Sequence, residues 1–330
     1  MTAGQQRIDT HSHWMPPSYV AALRLAAERD AGLARGASMM LGMDERSPLV
    51  NLDLRLAEID AAEVTMSVLS LPPPGMHFPD VGLAVEAAPA INDELIAAAE
   101  SDGERFCVLA ALPLPDVPAS IAELNRVASS PAVRGVGLMT QASPWQLDNP
   151  PIREVLGAAA DLGLPVVLHP QMEDSPPAYG DWGLTACLAP PVSSSLGVLR
   201  LILSGCLDQY PELVPIVPHL GGAIPYLFQR IVDLSAADAS ESFEHCCRER
   251  LYYDTCSYHP PALRCAIETV GAGRLMAGSD FPFRGRVARC FEDILQAGLG
   301  DREVNAILGG TASQWFGPHS GQERQEGTGE

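Results

Sequence analysis

Five side chains of types that bind metals or transfer protons occur in four short motifs. His11 and His13 form an H-x-H pair in "RIDTHSHWMPP", His169 lies in "PVVLHP", His219 in "VPHLGG" and Asp280 in "AGSDFPF". Alternate residues of a strand share a face, so His11 and His13 would point the same way. Three imidazoles and a carboxylate are typical of a zinc site with one open position, and manganese is the alternative. Taken singly, the motifs also fit solvated histidines, a strand-end histidine at His169, a turn residue at His219 and a helix cap at Asp280.

The rest of the chain alternates short apolar runs with helix-like segments. The runs are "RID", "TMSVLSL", "RFCVLAAL", "VRGVGLM", "PVVLH", "LVPIVPH", "LYYDT" and "RLMAGSD". Most are rich in Val, Ile and Leu without alternation, as strands buried on both faces should be. Helix-like segments between them cover 52–62, 84–101, 120–129, 151–162, 194–209 and 261–270.

This alternation predicts an α/β fold, a (β/α)8 TIM barrel. A doubly wound sheet is the alternative, and the absence of G-x-G-x-x-G after any run weakens its dinucleotide-binding form. Sites of such barrels lie at the C-terminal ends of the strands, where all four motifs fall. One barrel mouth would therefore bring the five side chains together, and this combination favours a metal site over the separate interpretations.

The domain organisation follows from the same pattern. We predict one barrel domain over 1–317, with an insertion at about 30–50. The stretch 171–191, rich in Pro, Gly and aromatic residues, is predicted to be a long loop over the mouth. Residues 318–330 have almost no apolar content and are predicted to be disordered.

Composition excludes several classes of function. The formal net charge of −20 disfavours nucleic acid and anionic membrane surfaces as partners, although local arginines could still bind a small anion. All 21 basic residues are arginine, which excludes Schiff-base catalysis, Walker-type phosphate binding and a carboxylated-lysine metal bridge. No run approaches the roughly 20 apolar residues that span a bilayer. Eight scattered cysteines without a C-x-x-C motif and no evident signal peptide predict a cytoplasmic protein.

The motifs together resemble a known family. "IDTHSHWMPP", "RLAEIDAAEVTMSVLS", "VVLHP", "VPHLGG" and "AGSDFPF" are similar, in the same order, to the amidohydrolase-related decarboxylases. That group includes aminocarboxymuconate-semialdehyde decarboxylase and the resorcylate-type decarboxylases. The resemblance runs from about Arg7 to Gly317. It is specific for the superfamily and much less specific for a substrate.

The resemblance implies a barrel with one divalent metal, usually zinc, and a role for each motif. By motif, the implied metal ligands are His11, His13, His169 and Asp280. His219 matches the histidine that hydrogen-bonds the metal's water and acts in proton transfer. Arg46 and Arg230 fall at spacings similar to arginines that bind substrate carboxylates, one of which often acts across a dimer interface. A homodimer is therefore implied.

Four further side chains are candidates for contact with substrate. His77 and His259 follow the second and seventh predicted strands and could line the pocket. Trp182 and Phe283 could stack on an aromatic ring from the mouth loops, and simple packing is the alternative for both. For Arg46 the alternative is a surface ion pair.

The chemistry that the residues and the resemblance together imply is non-oxidative decarboxylation of a small unsaturated or hydroxylated aromatic carboxylic acid. A metal can polarise a substrate oxygen, an arginine can bind the carboxylate through two hydrogen bonds, and His219 or Asp280 can deliver the proton. Without lysine or an organic cofactor, the substrate itself must accept the electrons. The same residues could instead hydrolyse a lactone or amide, or hydrate an alkene. A non-catalytic metal-binding or scaffold protein is a further alternative, disfavoured because it needs no proton-transfer histidine.

Overall fold

A computed structural model describes residues 6–142, 145–171 and 179–317, and its centre is a barrel of eight parallel strands. In barrel order the strands are β1 (Ile8–His13), β2 (Met66–Ser70), β3 (Phe106–Ala111), β4 (Val133–Met139), β7 (Val166–His169), β8 (Pro215–Val217), β9 (Tyr252–Asp254) and β10 (Leu275–Met276). A two-stranded hairpin, β5 (Gln141–Ala142) and β6 (Trp145–Gln146), follows β4. Seven of these strands lie within the predicted apolar runs, and β1 begins in "RID" and extends to His13. The predicted (β/α)8 fold is confirmed.

Helices surround the strands. They are α1 (Pro17–Arg29), α2 (Ala31–Gly36), α3 (Ser38–Leu41), α4 (Leu52–Ala61), α5 (Val81–Ser101), α6 (Val117–Val127), α7 (Pro150–Asp161), α8 (Leu184–Cys187), α9 (Ala189–Leu203), α10 (Cys206–Gln209), α11 (Ile224–Leu234), α12 (Ala237–His245), α13 (Pro260–Val270), α14 (Ala288–Leu295), α15 (Asp301–Asn305) and α16 (Ser313–Phe316). Short helical turns cover Gly103–Arg105, His219–Gly221, Cys246–Arg250, Ala272–Arg274 and Ala306–Gly310. In the described part of the chain, no helix is long and apolar enough to cross a membrane.

Three stretches differ from, or add detail to, the sequence prediction. The helix predicted over 194–209 is two helices, α9 and α10, because the chain turns at Gly205 with a φ of 72° that favours glycine. The proposed insertion at 30–50 carries α2 and α3, and 184–191 of the proposed mouth loop carries α8 and the start of α9. Residues 172–178 of that loop and 318–330 of the predicted tail lie outside the described residues.

The barrel closes by hydrogen bonds between β1 and the segment that follows β10. The amide of Thr10 donates to the carbonyl of Ala277 at 2.9 Å, and the amide of His13 donates to that of Phe281 at 2.9 Å. The amide of Asp280 donates back to the carbonyl of His11 at 2.7 Å. The first and last strands are thereby joined at the end where the sequence places three of its candidate ligands.

Arg55 of α4 is the largest fully buried side chain, with no exposed surface. Its guanidinium donates to the hydroxyl of Ser12, the carbonyl of His13 and, at 3.1 Å, the carbonyl of Pro48. It also lies 5.0 Å from the ring centroid of Phe281. Burial lowers the pKa of Arg55 to about 9. A buried cation thus holds the C-terminal end of β1 against α4 and the segment after β10.

We predict that Arg55→Met lowers the free energy of unfolding by about 2–4 kcal/mol, because it leaves buried carbonyl and hydroxyl groups without their donor. Urea unfolding would measure the change. Arg302→Met, in the exposed first turn of α15, is the matched control and should change it by less than about 0.5 kcal/mol. Equal stability of the two variants would contradict a structural role for Arg55.

Candidate metal and active site

Four predicted ligands meet at the C-terminal end of the barrel. The ligand atoms of His11, His13, His169 and Asp280 all lie within 4.8 Å of one another. Nε2 of His11 and Nε2 of His13 are 3.1 Å apart, and Oδ1 of Asp280 is 3.5 Å and 3.3 Å from them. The His169 ring centroid lies 5.2 Å from that of His11 and 4.8 Å from that of His13.

The second nitrogen of each of these imidazoles already has a partner. Nδ1 of His11 donates to Asp254 at 2.6 Å, Nδ1 of His13 faces the hydroxyl of Ser70 at 3.1 Å, and Nδ1 of His169 donates to the carbonyl of Pro170 at 3.0 Å. Because the Ser70 hydroxyl donates to the carbonyl of Ser12 at 3.3 Å, it accepts from His13. This network assigns the lone pairs to the Nε2 atoms.

The Nε2 lone pairs therefore face a shared space. Two such nitrogens 3.1 Å apart repel each other unless a proton or a cation lies between them. Nε2 of His169 is buried and has no hydrogen-bond partner among the described residues. Burial also lowers the pKa of His13 and His169, which favours the neutral, ligating form. The donor set of three imidazoles and one carboxylate fits a divalent cation.

Asp254 at the end of β9 orients this cluster and was missed by the sequence analysis. Its Oδ2 accepts from His11, and its Oδ1 accepts from the amides of His219 at 2.8 Å and Cys256 at 2.9 Å. Burial by itself would raise the pKa of Asp254, but the charge and hydrogen bond of His11 hold it below the ordinary value. Burial likewise opposes protonation of His11, and the contact with Asp254 outweighs it and raises the pKa of His11 to about 9, so without a cation Nε2 carries a proton that a bound cation would displace. A carboxylate behind a ligating histidine fixes the ring and its tautomer.

The backbone around the site leaves little room for change. A Cβ on Gly278 would lie 2.7 Å from Cβ of Asp254 and 3.0 Å from Cβ of His11, so only glycine lets these strands approach. Asp280 and His219 adopt left-handed conformations, with φ values of 52° and 57°. Non-glycine residues held in this region are strained, and such strain is common at functional sites.

A cavity of about 520 Å³ opens onto the cluster. His169, His219 and Asp280 lie on its wall, together with Phe283 and Arg284. Most of the other lining residues are apolar, among them Met39, Met40, Pro73, Pro170 and Pro190, and Cys187, Cys256 and Ser257 also line the cavity. Burial lowers the pKa of His219. A cavity of this size and lining accommodates a small planar organic molecule beside the ligand cluster.

Arg284, four residues after Asp280, is a second residue that the sequence analysis missed. Arg284 is exposed where it lines the cavity. Among the described residues it makes no ion pair or hydrogen bond, and its guanidinium carbon lies 5.5 Å from the ring centroid of Tyr258. Its neighbour Arg286 pairs with Glu292 at 3.8 Å. In a chain with 41 acidic residues, an arginine without a carboxylate partner beside a cavity is suited to binding an anion.

Two other predicted contact residues lie near the cluster. The ring centroid of Phe283 is 5.5 Å from that of His13, and Phe283 lines the large cavity. His77 lines a small cavity of about 30 Å³ that also borders His11 and His169. Burial lowers the pKa of His77 to about 4, so its imidazole is neutral.

The other four are not brought to the cluster within this chain. Arg46 is exposed and pairs with Asp44 at 2.6 Å. Trp182 is 91% exposed, and Arg230 is exposed on α11. His259 is exposed at the start of α13 and borders a separate small cavity. These placements leave their proposed contacts with substrate as predictions.

Comparison with known proteins agrees with the motifs. The chain is 30% identical over 250 residues to a gamma-resorcylate decarboxylase of Rhizobium sp., covering 70% of this chain and 76% of that protein. It is 24% identical over 282 residues to a 2-keto-4-carboxy-3-hexenedioate hydratase of Sphingobium sp., covering 80% and 81%. The crystal structure of 5-carboxyvanillate decarboxylase from Sphingomonas paucimobilis superposes with a TM-score of 0.84 at 25% identity, covering 95% and 99%.

The family model described as amidohydrolase matches residues 8–317. This span contains every barrel strand, the four clustered ligand residues and His219. The resemblance read from the motifs is confirmed: this chain belongs to the amidohydrolase family.

Proposed function

We propose that this chain is a metal-dependent, non-oxidative decarboxylase of a small hydroxylated aromatic or unsaturated carboxylic acid. The observation that carries the proposal is the set of facing Nε2 atoms and the Asp280 carboxylate on the wall of a largely apolar cavity. The decarboxylases among its relatives favour this reaction over hydrolysis. The hydratase among them makes addition of water the second candidate.

The metal we propose is zinc, held by His11, His13, His169 and Asp280, with manganese as the alternative. When bound, a divalent cation supplies Lewis acidity toward an oxygen of the acid. An organic cofactor is not part of the proposal, because a chain without lysine has no side chain for a Schiff base and the substrate itself can accept the electron pair.

His219 is the proposed proton carrier. In decarboxylation the bond from the ring or alkene carbon to the carboxylate breaks, CO2 leaves, and a proton must replace it on that carbon. Ligand atoms of His219 and Asp280 lie within 4.8 Å of each other, a separation that one water molecule can bridge, so a proton could pass between them through that water beside the substrate. The hydrogen bond from the amide of His219 to Asp254 fixes the backbone of this histidine.

Arg284 is the proposed anchor for the substrate carboxylate. Its planar guanidinium can donate two hydrogen bonds to a carboxylate and hold the plane in which the C–C bond breaks. Phe283 and the methionines of α3 offer apolar surface for the remainder of the molecule. A small aromatic or unsaturated acid fits this division into one cationic wall and one apolar wall.

A homodimer is part of the proposal. Tyr226, Arg230 and Leu234 are spaced four residues apart on α11 and share a face, and Tyr226 and Leu234 are 86% and 71% exposed. The same four-residue spacing recurs in Leu188, which directly precedes α9, and in Val192 and Leu196 within it. These side chains are 42%, 39% and 50% exposed. Exposed apolar stripes of this kind mark interfaces between proteins. Arg230 could reach a partner's cavity from such an interface. A cytoplasmic location also stays a prediction, with which eight free cysteines are consistent.

We predict that the purified protein holds about one zinc or manganese ion per chain and releases CO2 from a dihydroxybenzoate or a muconate-type acid. His11→Ala should lose both the metal and the activity, since it removes one of the facing nitrogens. Metal analysis and product analysis would measure them. A product that keeps its carboxylate and has gained water would instead support hydration or hydrolysis, and no metal even after reconstitution would contradict the site.

We predict that Arg284→Gln raises KM for the acid about tenfold or more, the effect of losing one charge-assisted hydrogen-bonded pair. Steady-state kinetics would measure it. Arg286→Gln makes the same change in net charge two residues away, at a position 69% exposed, and should stay within about twofold of the parent. Equal changes of KM in both variants would mean that the net charge of the protein, and not a contact with Arg284, determines substrate binding.

We predict that the protein sediments at about twice the 35.1 kDa of one chain. If Arg230 acts on the partner's cavity, Arg230→Gln and His219→Ala dimers should each be inactive. Dissociating and mixing them should restore about a quarter of the parent turnover, because half the dimers are mixed and each has one complete site. No recovery on mixing, or a monomer, would contradict the shared site.

A further inference from the structure

A cysteine thiol borders the proposed metal centre without belonging to its ligand set. Cys256 follows β9 and is 3% exposed. Ligand atoms of Cys256, His219 and Asp280 all lie within 4.8 Å of one another. The backbone amides of Cys256 and His219 donate to the same oxygen of Asp254, which holds the two residues side by side.

The free donor atoms of this triad point to a ligand. Nδ1 of His219 is buried and has no hydrogen-bond partner among the described residues, and the Cys256 thiol has no side-chain hydrogen bond within that part of the chain. Buried polar atoms normally have partners, so an orphaned imidazole nitrogen needs an explanation. All three residues line the large cavity, through which a solvent ion can reach them.

We propose that His219, Cys256 and Asp280 form a second divalent-metal site, which shares Asp280 with the first. Thiolate and imidazole ligands favour zinc, cobalt and cadmium over magnesium, calcium and manganese. Binding releases the proton of the Cys256 thiol. Because the site has only three protein ligands and one is shared, it fills after the first site and more weakly.

The second site acts as an inhibitory one. His219 is the proposed proton carrier, and a metal ion on either of its ring nitrogens would occupy that lone pair and fix the ring. Excess zinc would therefore stop turnover while the first site stays filled, whereas excess magnesium would not. Inhibition by zinc rests on the proposed function. Metal binding at the second site rests only on the proposed first metal site.

Titration of the metal-free protein with cobalt distinguishes the two sites spectroscopically. The first equivalent should bind without a thiolate-to-cobalt charge-transfer band, since its ligands contain no sulfur, and the second should produce that band. Cys256→Ser should remove the band and leave one equivalent bound. Cys187→Ser is the matched control, because Cys187 is an exposed thiol that lines the same cavity. This variant should keep both the charge-transfer band and the second bound equivalent of cobalt.

Each of the other outcomes would overturn one stated part of the proposal. One equivalent bound and no band at any concentration would overturn the second site alone, and a band in the first equivalent would place Cys256 in the first site. A chain that binds no cobalt would overturn both centres. Inhibition by excess zinc should be lost in Cys256→Ser, relative to that variant's own turnover at one equivalent of metal. Inhibition that persists there would contradict the inhibitory role.

Discussion

The hydrogen bonds that close the barrel are the constraint on which the site depends. His11 and His13 lie on β1, whereas Asp280 follows β10, so the ligands stand on opposite sides of the closing seam. The amide of Asp280 donates to the carbonyl of His11 at 2.7 Å, which ties a ligand on one side directly to a ligand on the other. The geometry of the candidate ligand cluster therefore depends on barrel closure, and an open sheet would not bring these side chains together.

This seam also concentrates groups that are costly to bury. Asp9 is fully buried and accepts hydrogen bonds from both the amide and the hydroxyl of Ser279, at 2.9 Å and 2.6 Å. Burial raises the pKa of Asp9 to about 6 in spite of these bonds. Asp254 and Arg55 are likewise buried, each with several hydrogen bonds. Buried charges survive only with such partners, and the strained backbone at His219 and Asp280 adds to the cost. The free energy that stabilises the fold must therefore come from the surrounding hydrophobic core and not from the site.

The sequence sufficed for those features that depend on local pattern. Apolar runs predicted all eight barrel strands, and histidines at their ends predicted the cluster, because a parallel barrel brings every strand end to one mouth. Asp254 carried the same signal at the end of "LYYDT" and could have been found. Arg284 could not have been found from the sequence. What marks it is that it has no carboxylate partner among the described residues, and only the fold decides which residues are neighbours. Arg46 had a suitable spacing and His259 a suitable position after a predicted strand, but neither says which way a side chain points.

The net charge and the chemistry of the cavity illustrate the difference between global and local electrostatics. A chain with a formal charge of −20 would repel an anionic substrate at long range, yet salt screens that repulsion beyond about 8 Å. Within the cavity, the nearest charges decide: among the described residues, Arg284 has no ion-pair partner and Asp280 is the one carboxylate in the lining. Binding a cation at Asp280 would turn that wall positive as well. The cavity would then attract a carboxylate while the exterior remained acidic, so selection for an anion would require the metal to be in place first.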